Sequence, residues 1–342
     1  MNNFKEKFYG HGKLLLTGEY YALDGALCLA LPTCSGQRLE VSYKKSYSPK
    51  LSWISYGHNK EKWFEHSFEF WHFDSLTNNN SPEVQVIQSL LRQARIQNNH
   101  FLREEQDINV ETFLEFPRQW GLGSSSTLVY NIAQWAHISP FELLFKTLGG
   151  SGFDIACAGS NGPILYEKKT VGPSYAPIQF DPSFKDCLYF VHLGKKINTK
   201  GAIEFYHQNE KEPAHNVAQI SRLSKEFILA QDLKEFQLLM KEHELILARG
   251  LKLTPVKDQL FSDYWGEVKS LGAWGGDFVL VSSDRQTQET MKYFKQKGFD
   301  TIIPYCEMVL PTSREEFIGA KLTNQEIFTH LNLSQLAKVK SY

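Results

Sequence analysis

The sequence is short of the features that would mark a binder of nucleic acid, membrane or zinc. It has no excess of either charge: 37 Lys and Arg stand against 38 Asp and Glu, a formal net charge of -1. Bulk electrostatics therefore give no sign of a nucleic-acid binder, and an anionic ligand must be met by a local cationic site. Cysteines are few and odd in number, five in all, with no CxxC pair. That pattern suits reduced thiols in the cytoplasm better than a disulfide frame or a zinc site. No run approaches the roughly 20 apolar residues of a membrane span, and the opening "MNNFKEKFYGHGK" has no long apolar h-region. The expectation is a cytoplasmic protein with no membrane and no nucleic-acid partner. Internal repeats and low-complexity tracts are missing too. So is a Walker A loop, since GxxxxGK[ST] occurs nowhere.

What is present is ordinary globular material: 342 residues, 42% hydrophobic and 22% charged, with aromatics plentiful at 13%. That length suffices for one large or two ordinary domains. "GKLLLTGEYYALDGALCLALPT" reads as two strands joined at Asp24-Gly25. "QRLEVSYKK", "LSWISYG" and "KWFEHSFEFWHF" follow as strands, the last two around a "GHNK" hairpin. "SPEVQVIQSLLRQARIQNN" predicts a helix capped by Ser81 with Pro82 at its first position. "SPFELLFKTLGG" repeats that signature with Ser139 and Pro140. "DINVETFLEF" alternates like a half-buried strand. "GPILYEKK" and "CLYFVHLGKK" are strands, and the stretch from Lys200 to Leu271 is mainly helical. The chain closes with strand "FVLVSS", helix "QETMKYFKQKG" and strand "TIIPYCEMV". The Pro- and Gly-rich interval from about Tyr166 to Asp186 marks the expected boundary between an N-terminal domain, 1–175, and a C-terminal domain, 176–342. The fold class is α+β.

"EFPRQWGLGSSSTLVYNIAQW" is the most informative stretch. A strand ends at Pro117, two glycines and three serines follow, and a helix begins. Glycine admits close backbone approach, and free N–H groups at a helix mouth attract an anion. Serine hydroxyls add donors or bind Mg²⁺. It is not a dinucleotide fingerprint, because the third glycine is missing. Two readings stay open on these residues alone: a phosphate cradle, or a helix capped by Ser124 or Ser125.

Four motifs, in order, resemble those of the GHMP kinases, the superfamily named for galactokinase, homoserine kinase, mevalonate kinase and phosphomevalonate kinase. "PRQWGLGSSS" is similar to their Pro-x3-Gly-Leu-Gly-Ser-Ser loop, and "GKLLLTGEYYALDG" to their first motif. "GGSGFDIACAGSNGPILY" resembles the Ser-Gly-x-Asp segment, and "LGAWGGDFVLVSS" the third, glycine-rich motif. The set spans residues 12 to 283. The resemblance implies a ribosomal S5 domain 2-like N-terminal domain, a ferredoxin-like α/β sandwich C-terminal domain, ATP and Mg²⁺ as cofactors, and a small-molecule acceptor taken by a monomer or homodimer. Three departures stand out. Trp274 replaces a usual glycine, "SSST" replaces Ser-Ser-Ala-Ala, and the loop lies closer to Asp154 than in typical mevalonate kinases.

Phosphoryl transfer asks for alignment, charge neutralisation and removal of the nucleophile's proton. On the resemblance, Asp154 is the base and Lys13 its cationic partner. The residues alone also admit a helix-capping aspartate and a solvated lysine. Pro117, Trp120, Gly121, Leu122, Gly123, Ser124, Ser125 and Ser126 form the nucleotide loop. Ser125 is the first choice for Mg²⁺, with Ser124 close behind. Glu142 is a second candidate ligand, or else an ordinary exposed helix residue. Glu19 supports the site or is a buried structural acid. Ser151 and Gly152 leave room for the acceptor. Lys195, Lys196 and Thr199 suit an anionic group on it, and Gly272, Gly275 and Gly276 belong to the third motif.

Two details favour phosphomevalonate over mevalonate as acceptor, and thus isoprenoid precursor synthesis. "GSGFD" has Gly where mevalonate kinases have Pro, and "GGD" with Asp277 resembles the bacterial phosphomevalonate form. Mevalonate itself is a close runner-up, because the chain is compact and the loop lies near Asp154, and homoserine or sugar kinases remain alternatives. A mevalonate diphosphate decarboxylase ranks lower because its Ser- and Arg-rich segment has no match. A nucleotide-binding regulator without turnover would have no need of both Lys13 and Asp154.

Overall fold

A computed structural model describes residues 5–194, 199–210, 213–272 and 277–312. Two compact units interleave along the chain. The first takes the residues up to Lys13 together with Thr33–Gly159. The second takes Leu14–Pro32 and the residues from Ser160 on. A single cut near residue 175 does not separate them, because the segment around Glu19 belongs with the later half.

In the first unit, strands β1 (Lys5–Leu15), β2 (Cys28–Lys45), β3 (Lys50–Tyr56), β4 (Lys62–Glu69) and β5 (Gln106–Leu114) line up as β4-β3-β5-β2, with β1 also on β2. β3 runs parallel to β5, and the β3–β4 and β2–β5 pairs are antiparallel. Alternate residues point to opposite faces of a strand, so Leu39, Val41, Leu51, Trp53, Ile108 and Val110 share the buried face. The helices α1 (Pro82–Gln97), α2 (Ser124–Ala136), α3 (Pro140–Thr147) and α4 (Phe153–Ala158) supply the rest of the core. Val84, Ile87 and Leu91 of α1, Val129, Ile132 and Ala133 of α2, and Leu143 and Leu144 of α3 lie in one cluster with those strand residues. The predicted caps are present: Ser81 accepts from the Val84 amide and Ser139 from the Glu142 amide. The "GHNK" hairpin closes with the Gly57 amide donating to the Glu61 carbonyl at 2.9 Å.

In the second unit, β6 (Ile164–Lys169) pairs with β7 (Gly172–Pro177) and with the first residues of β2. The interval expected to hold the domain boundary thus contains a strand, because Gly172, at φ 123°, turns the chain back on β6. Further on come β8 (Leu188–His192), α5 (Thr199–Asn209), α6 (Pro213–Leu229), α7 (Leu233–Leu251), α8 (Val256–Leu260), β9 (Val268–Leu271), β10 (Phe278–Ser282), α9 (Thr287–Gln296), β11 (Ile302–Pro304) and α10 (Tyr305–Met308). The sheet order is β11-β8-β10-β9, with β10 antiparallel to both its neighbours. Strand 4 beside 1, then 3, then 2, with helices after the first and third, is the expected ferredoxin-like arrangement. The last strand is shorter than "TIIPYCEMV" suggests. Pro304 has no N–H for the ladder, and the chain turns there into α10. No helix among the described residues is long and apolar enough to cross a membrane.

Candidate active site

The glycine-serine loop is anchored before it is shaped. Pro117 opens a short 3-10 turn over Arg118–Trp120, and Gly121 leaves it at φ 65°. Leu122 is buried, and its carbonyl accepts from the Lys13 amide at 2.9 Å. Gly123 then sits at φ 92° as the N-cap of α2, and no side chain caps the helix. Of the two readings open for this loop, the serine cap is therefore not the one formed. The first-turn amides and the dipole end of a 13-residue helix are left to the backbone. Ser124 is half-buried and Ser125 exposed at this mouth.

Gly123 has no room for a side chain. A Cβ there would lie 2.7 Å from Ser126 Oγ and 3.0 Å from Lys13 Cγ. The Lys13 stem thus runs against the loop, and its ammonium lies 5.6 Å from the ring centroid of Phe153, the residue before Asp154. Helix α4 starts as α2 does, from a left-handed glycine: Gly152 at φ 94°, again without a side-chain cap. Asp154 is in its first turn rather than at its cap, and Ser151 is buried just ahead.

Asp154 is half-buried. Burial pushes its carboxyl above the usual carboxylate range, and the Lys13 charge pulls it back. Donors pull the same way: the Ile155 amide at 3.1 Å and the Ser126 hydroxyl. A carboxylate with a raised pKa beside a cation is chemically a proton acceptor poised closer to neutral pH than an exposed aspartate. Lys13, Gly123, Ser126 and Asp154 are thus brought together within one unit.

Glu142 is exposed on α3 and pairs with Lys146 one turn along the same helix, at 2.5 Å. Glu19 belongs to the second unit and is 1% exposed. Its partner is Lys269 Nζ at 2.5 Å, and His243 Nε2 lies 3.3 Å from its other oxygen. Burial pushes its carboxyl up to about 7, against the opposing pull of Lys269. His243 Nε2 accepts from the Gly18 amide at 3.1 Å, so its proton sits on Nδ1 and the ring is neutral. Burial, and secondarily the Lys269 charge, holds its pKa well below the usual value. Glu244, also buried, accepts from the Ser270 amide and hydroxyl at 3.0 and 2.7 Å. Sequence reasoning left out Lys269, His243 and Glu244. They lie more than 220 residues from Glu19, and nothing local marks them as its neighbours. Gly272 follows β9 at φ 69°, and Thr199 begins α5. Lys195, Lys196, Trp274, Gly275 and Gly276 lie outside the described residues.

No protein-family model and no curated protein matches the chain. Solved structures do match its fold. Streptococcus pneumoniae phosphomevalonate kinase in complex with phosphomevalonate and AMPPNP superposes with a TM-score of 0.64 at 18% identity, covering 86% of this chain and 97% of that one. L. major mevalonate kinase in complex with R-mevalonate gives 0.62 at 15% identity, over 91% and 98%. Lactococcus lactis galactokinase complexed with galactose gives 0.63 at 12% identity, over 90% and 94%. The chain has the fold of the GHMP kinases.

Proposed function

We propose that the protein is an ATP-dependent small-molecule kinase whose acceptor is phosphomevalonate or mevalonate. The observation that carries this reading is the uncapped, glycine-led mouth of α2 with Lys13 and Asp154 beside it, in a fold that its neighbours use for phosphoryl transfer. The amides of Ser124 to Ser126 and the helix dipole suit the phosphates of ATP. Pro117, Trp120, Gly121 and Leu122 hold that loop in place. Lys13 neutralises charge, and Asp154 takes the proton from the acceptor oxygen as that oxygen attacks the terminal phosphorus.

The exposed Ser125 hydroxyl, with Ser124 next to it, offers Mg²⁺ an oxygen ligand of the right kind. When bound, the ion supplies charge neutralisation on the phosphates. Glu142 would have to leave Lys146 to join it. Ser151 and Gly152 border the acceptor. We assign its anionic group to Lys195, Lys196 and Thr199, a supporting role to Glu19, and the third motif's contacts to Gly272, Gly275 and Gly276. The Gly-Ser-Gly-Phe-Asp sequence favours phosphomevalonate. A second reading, a kinase for another acceptor such as a sugar, is favoured by the galactokinase among the structural neighbours.

The test is an ADP-release assay with ATP and Mg²⁺ against phosphomevalonate, mevalonate, homoserine and galactose. Turnover on one of the first two is expected. Turnover on galactose or homoserine alone would select the second reading. ATP binding without turnover on any of them would make the chain a nucleotide-binding protein.

A further inference from the structure

Four ionisable side chains are closed off inside the second unit: Glu19, His243, Glu244 and Lys269, each 3% exposed or less. Their hydrogen bonds leave one oxygen unsupplied. Glu244 accepts from the Ser270 amide at one oxygen, at 3.0 Å, and from the Ser270 hydroxyl at the other, at 2.7 Å. Lys269 donates to Glu19 Oε1 at 2.5 Å and to the Ser270 carbonyl at 2.9 Å. Glu19 Oε2 has no donor among the described residues. What faces it, at 3.3 Å, is His243 Nε2, a nitrogen that accepts from the Gly18 amide at 3.1 Å. An ionised oxygen against an imidazole lone pair is repulsive, and the cost is high in a buried place. The charges do not balance either: one lysine stands against two carboxylates, with the imidazole neutral. A proton on Glu19 Oε2 answers both. It gives Nε2 a donor, and it leaves one cation with one carboxylate. The Nε2 lone pair is then shared by the Gly18 amide and the acid, in keeping with two contacts that are both longer than 3.0 Å.

We propose that Glu19 is a buried proton switch: its Oε2 carries a proton hydrogen-bonded to His243 Nε2, and loss of that proton loosens the second unit's hold on the segment that follows Lys13. The step is acid dissociation alone. The Oε2–H bond breaks, its electron pair stays on the carboxylate, and the proton leaves to solvent. Three side chains from three elements hold the segment. Ser224 of α6 is bonded to the Thr17 hydroxyl at 2.6 Å, His243 of α7 takes the Gly18 amide, and Lys269 of β9 takes the Glu19 carboxyl. Two of the three are therefore exposed to the charge on Glu19. Burial raises both carboxyls of the cluster, that of Glu19 to about 7, against the pull of Lys269. The other titratable group beside Glu19 is the Cys28 thiol of β2. Burial, and secondarily Glu19 itself, keeps it neutral, and it donates to the Ala26 carbonyl at 3.0 Å. Because the folded-state value stands above the ordinary 4.5, the hold is full at low pH and is lost as pH rises through about 7. The switch goes beyond the kinase reading, and none of its tests uses turnover.

Glu19→Gln is the switch fixed in its protonated form. Its amide N–H takes the place of the acid proton against His243 Nε2, and its carbonyl accepts from Lys269. In the parent, the Glu19 carboxyl carbon, assigned through its own backbone, is followed by ¹³C NMR against pH in the full chain without ligands. His243 Nε2 is followed by ¹⁵N NMR in the same samples. The carboxyl should titrate near pH 7, and the Nε2 resonance should move with it while the ring stays neutral. In urea titrations the folding equilibrium constant of the variant should gain on that of the parent by up to about tenfold per pH unit from pH 5 to pH 7, and no further above it. Hydrogen exchange in peptides covering 14–27, corrected for the intrinsic effect of pH, should quicken between pH 6 and pH 8 in the parent and stay level in the variant. A Glu19 carboxyl that is ionised throughout pH 5.5 to 8.5 overturns the proposal, as does a Nε2 resonance that stays still while Glu19 titrates. Equal exchange changes in parent and variant overturn it too. If the variant does not fold, the two NMR titrations of the parent still decide where the proton sits.

Discussion

The Lys13 amide donates to the Leu122 carbonyl at 2.9 Å, tying strand β1 to the glycine-serine loop. Two motifs more than 100 residues apart in sequence are thereby held at a fixed distance. The Lys13 side chain passes Gly123 on its way toward Phe153 and Asp154. Loop, lysine and the segment carrying the carboxylate are thus gathered in one unit rather than standing as three independent features.

Asp154→Asn keeps the shape of the site and removes the proton acceptor. Turnover should fall by on the order of 10²–10⁴-fold, with ATP affinity nearly unchanged. Steady-state kinetics and nucleotide titration check this, and near-parental turnover would remove Asp154 from the role of base.

Gly123→Ala places a methyl 2.7 Å from Ser126 Oγ, at a φ of 92° that L side chains avoid. The strain should cost about 1–3 kcal/mol and distort the helix mouth. Thermal melts should show the loss of stability. Nucleotide titration should show ATP binding weakened by about tenfold or more, since 1.4 kcal/mol is worth that much.

Lys269→Met strands the Glu19 carboxylate in a dry interior. Breaking one side of a buried pair costs about 3–5 kcal/mol, and that loss should appear in urea titrations at pH 8. It should shrink at pH 6, where Glu19 can take a proton. The double variant with Glu19→Gln should recover much of the difference. A Lys269→Met protein as stable as the parent at pH 8 would mean that the pair has no structural role.

His243 governs part of the acid response. Its folded-state pKa is depressed, so below about 6.5 the unfolded chain takes a proton that the folded chain refuses. Stability from this group is present above that pH and falls as pH drops, by up to about 1.4 kcal/mol per pH unit. Glu19 acts in the opposite sense between its ordinary 4.5 and about 7, since the folded chain binds the extra proton there. His243→Gln keeps an acceptor for the Gly18 amide and cannot titrate. The difference between the two urea-derived stability curves should therefore narrow steadily from pH 6.5 to pH 5. A constant difference across that range would show that His243 is not held neutral by the fold.

Much of the fold and of the site could be read from local pattern. The Ser81 and Ser139 caps, the alternation of β3 and β5, and the β10–α9–β11 ending are set by residues within a few positions of one another. Period and capping act at that range. The loop's glycines were equally legible, because only glycine relieves a positive φ at such a turn. The short end of β11 was legible in principle, since Pro304 could have stopped the strand.

Other features depended on the packed chain. The sequence names Ser124 and Ser125 as donors, but the backbone angle of Gly123 left both out of the cap. Ser126, which the motif left without a role, is buried and turns its hydroxyl back to the Gly123 carbonyl. The same holds for Glu19, whose motif neighbour is Lys13 and whose partner in space is Lys269, with His243 packed beside it. What the sequence determined by itself was element type and the identity of the glycine-serine loop, because those follow from backbone sterics and short-range hydrogen bonding. Which side chains share a carboxylate was decided only by tertiary structure, because a buried charge must take whatever partners long-range packing brings to it.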